Sequence, residues 1–70
     1  MLIKRSMTIE GHRTSIALEP EFWAALAAIA AREGLTMTDL IARIDASRAE
    51  TAPDQPLASA ARVFALLDKA

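Results

Sequence analysis

Apolar and polar residues alternate one by one at the start of the chain and then change to helical spacing. Met7 and Ile9 alternate with Ser6, Thr8 and Glu10; Thr14, Ile16 and Leu18 alternate with Arg13, Ser15 and Ala17. A period of two buries one face and frees the other, so residues 4–18 predict strand. Glu10-Gly11-His12 interrupts the two runs, and Gly11 permits the positive φ of a turn, kink or bulge. Glu19-Pro20-Glu21 ends the strand and starts a helix. Proline suits the first helical turn, and the acidic residues complement its positive end. This first helix runs to about Glu33, with Phe22, Trp23, Leu26, Ile29 and Ala30 on one side and Gly34 as a left-handed cap. Alanines fill much of 24–31, favouring helix while adding little bulk.

Thr36 opens a second helix, and Asp39 three residues on completes the spacing of a capping box. Met37, Leu40, Ile41 and Ile44 share a face, with Arg48 at its end, and the pattern fades near Glu50. Thr51-Ala-Pro-Asp-Gln-Pro56 has two prolines and no periodicity, which marks a linker. Leu57 to Lys69 reads as a short third helix with an apolar stripe of Ala60, Val63, Phe64 and Leu67. No internal repeat and no low-complexity segment stands out. Residues 1–51 then form the main unit, a basic arm and strand followed by two helices, and residues 52–70 a linker and terminal helix.

A chain of 70 residues buries too little surface to be comfortably stable alone, and such chains lean on disulfides, a metal or a partner. Cysteine is absent and His12 is the sole histidine, so neither a disulfide nor a structural zinc site is open to it. That leaves oligomerisation. One strand pair per chain makes no stable sheet, and an open strand edge invites pairing. The expected remedy is a mainly α protein whose short strand pairs antiparallel with the same strand of a second subunit. The two-fold homodimer would interleave its helices around Ile16, Leu18, Phe22, Leu26, Ile29, Leu40, Ile41 and Ile44.

The net charge is −1, which excludes a generally polybasic chain. Over residues 1–18, Lys4, Arg5 and Arg13 against Glu10 leave +2; beyond them, five basic and eight acidic residues leave −3. A basic arm on an acidic body suits a polyanionic partner. No apolar run is long enough to span a bilayer. Met1-Leu-Ile-Lys-Arg5 has its charges after the apolar residues, the wrong order for a secretion signal. A soluble, cytoplasmic protein with no membrane partner is the expectation. No nucleophile–base pair, phosphate loop or metal cluster emerges, and His12 has no Asp, Cys or second His at useful spacing. The chain is therefore expected to be no enzyme and to use no cofactor or metal.

Arg13-Thr-Ser-Ile-Ala-Leu18, the Pro20 helix start and Ala31-Arg-Glu-Gly-Leu-Thr-Met-Thr-Asp-Leu-Ile41 resemble the ribbon-helix-helix superfamily of the Arc, MetJ and CopG repressors. The stretch Lys4 to Trp23 and the terminal Ala61-Arg-Val-Phe64 look closest to its short, stand-alone bacterial members. The resemblance covers nearly the whole chain. It implies a β-ribbon that enters the major groove of double-stranded DNA, hence a transcriptional regulator or repressor. With Ile16 and Leu18 inward, Arg13, Ser15 and Ala17 become the base-facing residues. Arginine binds guanine bidentately and serine bonds several base edges, whereas Ala17 can meet only a thymine methyl. The family's second site is the start of the second helix, where amides around Thr36, Met37 and Thr38 would hold a phosphate. Lys4, Arg5 and His12 would extend the phosphate-binding surface. Dimers of this kind can also assemble to higher order on DNA. The structural alternatives are a solvated ribbon face and plain helix capping. The rival function is a dimeric adaptor that binds no DNA and docks a protein through its C-terminal helix.

Overall fold

Two strands and three helices follow one another along residues 1–68, the part of the chain that the structure, a computed structural model, describes. They are β1 (Ile3–Ile9), β2 (His12–Leu18), α1 (Pro20–Glu33), α2 (Met37–Thr51) and α3 (Leu57–Leu67). The expected end of the third helix at Lys69 lies outside the described residues.

The interruption at residues 10–12 is a tight hairpin turn. Glu10 and Gly11 have φ of 51° and 80°. Two successive positive φ values are the mark of a type I′ turn, whose twist matches that of paired strands. β1 and β2 accordingly pair antiparallel, from Ile9 opposite His12 to Ile3 opposite Leu18. A ribbon strand shared with a second subunit is the expectation from sequence; here one chain supplies both strands. Glycine carries its turn position without strain, whereas Glu10 holds a left-handed backbone that β-carbon residues disfavour.

Alternation places Met7, Ile9, Ile16 and Leu18 in the core, with Ile3 packed against it. The hairpin lays this face on the helices, β1 against α2 and β2 against α3. Trp23 is buried, and its indole N–H donates to the Ile3 carbonyl at 2.8 Å, which ties the first residue of β1 to α1. Leu26, Ile29, Ala30, Leu40, Ile41 and Ile44 complete the centre. Among the described residues no polar side chain is buried. Phe22, expected in the core, is only half-buried: adjacent helical residues cannot share one direction, and Trp23 takes the inward one.

Helix ends follow the residues that cap them. The Gly34 and Leu35 amides bond back to the Ala31 and Ala30 carbonyls at 3.3 and 2.8 Å, a Schellman closure that needs the left-handed Gly34. Arg48 fixes the linker. Its guanidinium donates to the Pro53 and Gln55 carbonyls at 3.0 and 3.1 Å and to Asp45 at 2.7 Å. The linker thus turns α3 back onto the core, where Ala60 and Ala61 are buried.

Two ion pairs hold α3 in place. Arg62 Nε meets Glu19 Oε1 at 2.9 Å, and Arg32 Nη2 meets Asp68 Oδ1 at 2.7 Å. The Arg62 hydrogen bond holds the Glu19 carboxyl below the usual carboxylate range. The stripe expected on this helix is corrected in part. Its small residues face inward, while Val63, Phe64 and Leu67 are 45%, 38% and 69% exposed. Alanine at 60 and 61 lets the helix backbone approach the core closely, and that orientation turns the larger side chains outward.

Candidate nucleic-acid interface

The strand face turned away from the core is polar along its length. On β1 it carries Lys4, Ser6 and Thr8; on β2 it carries Arg13, Ser15 and Ala17. The register sets Lys4 opposite Ala17, Ser6 opposite Ser15 and Thr8 opposite Arg13. The two central hydroxyls touch, with Ser6 Oγ and Ser15 Oγ 2.9 Å apart. Lys4 and Arg13 stand at diagonal corners, and neither makes an ion pair among the described residues. All of these side chains but Ala17 are exposed. The face therefore offers two cationic donors at its corners and two hydroxyls between them.

Arg13, Ser15 and Ala17, singled out from the sequence, share this face. Lys4 joins them. Ser6 and Thr8 were not singled out, although the alternation that marks Met7 and Ile9 as inward marks both as outward. Arg5 points the other way: its guanidinium carbon lies 4.7 Å from the centroid of the Trp23 ring, a cation–π contact beside the core. His12 has core-side parity as well. It borders a cleft of about 500 Å³ at the turn end of the ribbon, together with Arg13, Asp45 and Arg48. Strand parity thus separates Arg5 and His12 from the outward face.

The start of α2 is built as its sequence predicts. Thr36 Oγ1 accepts from the Asp39 amide at 3.0 Å, and Asp39 Oδ2 accepts from the Thr36 amide at 3.2 Å. This reciprocal pair is a capping box. It satisfies the amides of residues 36 and 39. Those of Met37 and Thr38 are the ones a helix leaves without internal partners. Asp39 brings a carboxylate to the same turn, which opposes an approaching anion.

The sequence pattern of the ribbon-helix-helix domain matches residues 2–68. The chain belongs to the ribbon-helix-helix domain family. No curated protein and no solved structure matches it. Ribbon-helix-helix domains are DNA-binding regulatory modules rather than enzymatic ones, and they typically dimerise. In this ribbon-helix-helix chain no group of three His, Cys, Asp or Glu side chains among the described residues could hold a metal ion. No described helix is long and apolar enough to cross a membrane.

Removing the Thr36 hydroxyl tests the cap, and removing the Met37 amide tests the phosphate contact that the family resemblance implies. Thr36→Ala is expected to cost on the order of 1 kcal/mol of stability, read from urea melts. Met37→Pro is expected to keep the fold while losing the packing of the half-buried Met37 side chain, because proline is accepted at the first helical position and Thr36 already has an extended backbone. It is expected to weaken DNA binding without changing sequence preference, as befits a positioning contact. Unaltered affinity in a folded Met37→Pro protein removes α2 from the interface.

Proposed function

We propose that this protein is a sequence-specific, homodimeric DNA-binding regulator, acting as a transcriptional repressor and reading the major groove with its β-ribbon. The observation that carries this is the outward ribbon face, where Arg13 and Lys4, neither of them in an ion pair among the described residues, stand on either side of two serines. Arg13, Ser15 and Ala17 contact base edges. The Met37 and Thr38 amides, left open beside the Thr36–Asp39 capping box, grip a phosphate together with Thr36. Lys4 also belongs to the DNA surface, while Arg5 and His12, on the core-side face, serve at most the flanking backbone. A DNA-binding role, with the resemblance to short bacterial members of the family, supports a location in the cytoplasm of a bacterial cell.

An unpaired strand gives no support to the dimer, since β1 pairs with β2. The exposed apolar side of α3 supports it instead. Val63, Phe64 and Leu67 border a groove that reaches Ile44. Joining two copies there covers apolar side chains in both, as a self-complementary two-fold contact does. Dimerisation makes the melting temperature rise with protein concentration. Phe64→Glu is expected to abolish that dependence and leave a folded monomer, as seen by sedimentation. A dimer that survives the change uses another surface.

The same exposed helix favours one rival, an adaptor that docks a protein through α3 and binds no DNA. A salt series separates the two. Affinity for duplex DNA driven by phosphate contacts falls steeply as salt rises, with a log–log slope of about −0.9 per phosphate neutralised. Absence of any salt-sensitive duplex binding at low salt favours the adaptor.

A further inference from the structure

The two strands of the hairpin repeat each other. Lys4-Arg-Ser-Met-Thr-Ile-Glu10 and Arg13-Thr-Ser-Ile-Ala-Leu-Glu19 align at an offset of nine residues, the separation of the paired serines. No repeat stands out in the linear sequence because only the serines and the glutamates are identical. The pairing register makes it visible. An approximate two-fold axis through the Ser6–Ser15 pair exchanges Lys4 with Arg13 and Thr8 with Ala17 on the outward face. On the inward face it exchanges Met7 with Ile16 and Ile9 with Leu18, all four of them buried.

We propose that a single hairpin is a complete reading head, with Lys4 contacting a base as Arg13 does, so that one chain recognises a short, nearly palindromic DNA element. The proposal rests on the DNA-binding function above and changes who supplies the symmetry. In a ribbon shared by two subunits, the two-fold relates identical strands. Here it relates two different strands of one chain.

The chemistry at the two corners is matched. Lysine and arginine are both donors to guanine O6 and N7. The pairs Lys4–Ala17 and Thr8–Arg13 lie on the same face as Ser6–Ser15, so Lys4 is presented to a groove as Arg13 is. The corners are four residues apart along the ribbon, about 13 Å at strand rise. That is roughly four base-pair steps at ~3.4 Å each. The element should carry one guanine for each corner, on opposite DNA strands. One serine spends its O–H on the mutual bond, which leaves the pair one free O–H and spare acceptor lone pairs on both oxygens, so the middle of the element tolerates several bases. Thr8 has a hydroxyl where Ala17 has only a methyl, so the two halves are similar rather than identical.

Selection of bound duplexes from a random pool tests this, with the full chain as wild type, Lys4→Ala and Arg13→Ala. Both side chains are exposed, and unchanged thermal melts verify the fold. The wild type is expected to enrich a motif with two guanines at that spacing. Each variant is expected to lose preference at a different guanine, keep the other, and bind the wild-type motif roughly 5- to 150-fold more weakly. If Lys4→Ala weakens all sequences equally and leaves the motif intact, Lys4 is a phosphate contact and the proposal fails. If Arg13→Ala erases both guanines together, the two-fold belongs to two chains, and the proposal fails while DNA reading stands. A wild-type pool with no enriched motif removes sequence-specific DNA reading itself, and the single-hairpin head with it.

Discussion

Replacing Ile41 with alanine is expected to cost about 2–5 kcal/mol of folding stability, the range for deleting the outer carbons of a fully buried aliphatic side chain. Ile41 is completely enclosed, as are Leu18 and Leu26 in the same core. It lies on the side of α2 that meets the rest of the fold, so its loss leaves a cavity between elements rather than at an edge. Small domains hold only about 5–15 kcal/mol in total. A chain with no disulfide and a core this small has little reserve, and the variant is expected to be largely unfolded at moderate temperature. Urea denaturation of wild type, Ile41→Ala and the exposed control Arg43→Ala measures the difference. Arg43→Ala is expected to stay within about 0.5 kcal/mol of wild type. Similar midpoints for all three proteins rule out this side of α2 as core. DNA binding should fall with Ile41→Ala only as far as the folded fraction falls, because the side chain is remote from the outward ribbon face.

The helices were legible because each carries its own punctuation. Pro20 and Gly34 bracket α1, Thr36 with Asp39 opens α2, and Pro53 and Pro56 separate α2 from α3. Local capping chemistry decides such boundaries, and it is written in adjacent residues. Strand parity was legible for the same reason, since Met7, Ile9, Ile16 and Leu18 alternate with polar neighbours. What paired with the strand was harder to read. A two-residue type I′ turn is normally announced by Asn-Gly or Asp-Gly. Here Glu10 holds the first position at positive φ, and the hairpin signal is muted. Long-range choices were also hidden. Between Phe22 and Trp23, periodicity puts either one inward, and the indole bond to the Ile3 carbonyl goes with Trp23. Arg5 reads as part of a basic arm until its stacking on that indole is seen. In α3, apolar residues occur on both sides, so the stripe does not reveal which side is buried. Ala60 and Ala61, small enough for close approach, are the residues that reach the core.

Strand parity also makes the second large prediction, because it assigns opposite fates to side chains three residues apart. Ile16 is buried against the helices, and Arg13 is exposed on the other face. Ile16→Ser removes about 2–5 kcal/mol of buried aliphatic contact. It also places a hydroxyl in a core that holds no polar side chain among the described residues, at a further cost of about 1–3 kcal/mol. The sum rivals the whole stability of a small domain, so this variant is expected to unfold and to lose DNA binding only as a consequence. Arg13→Ala deletes a side chain with no ion pair among the described residues and should melt like wild type. Its expected loss is about 1–3 kcal/mol of specific binding, with relaxed preference at one base pair. Non-specific affinity should fall little. Circular dichroism melts and duplex titrations on the same two proteins separate stability from recognition. A register shifted by one residue exchanges the two faces, and with them the two outcomes. A stable Ile16→Ser protein, or an unfolded Arg13→Ala protein, therefore overturns the assignment of the reading face. A stable Arg13→Ala protein that binds every duplex as wild type does leaves the ribbon face intact but takes Arg13 out of base recognition, and the adaptor function through α3 becomes the better account.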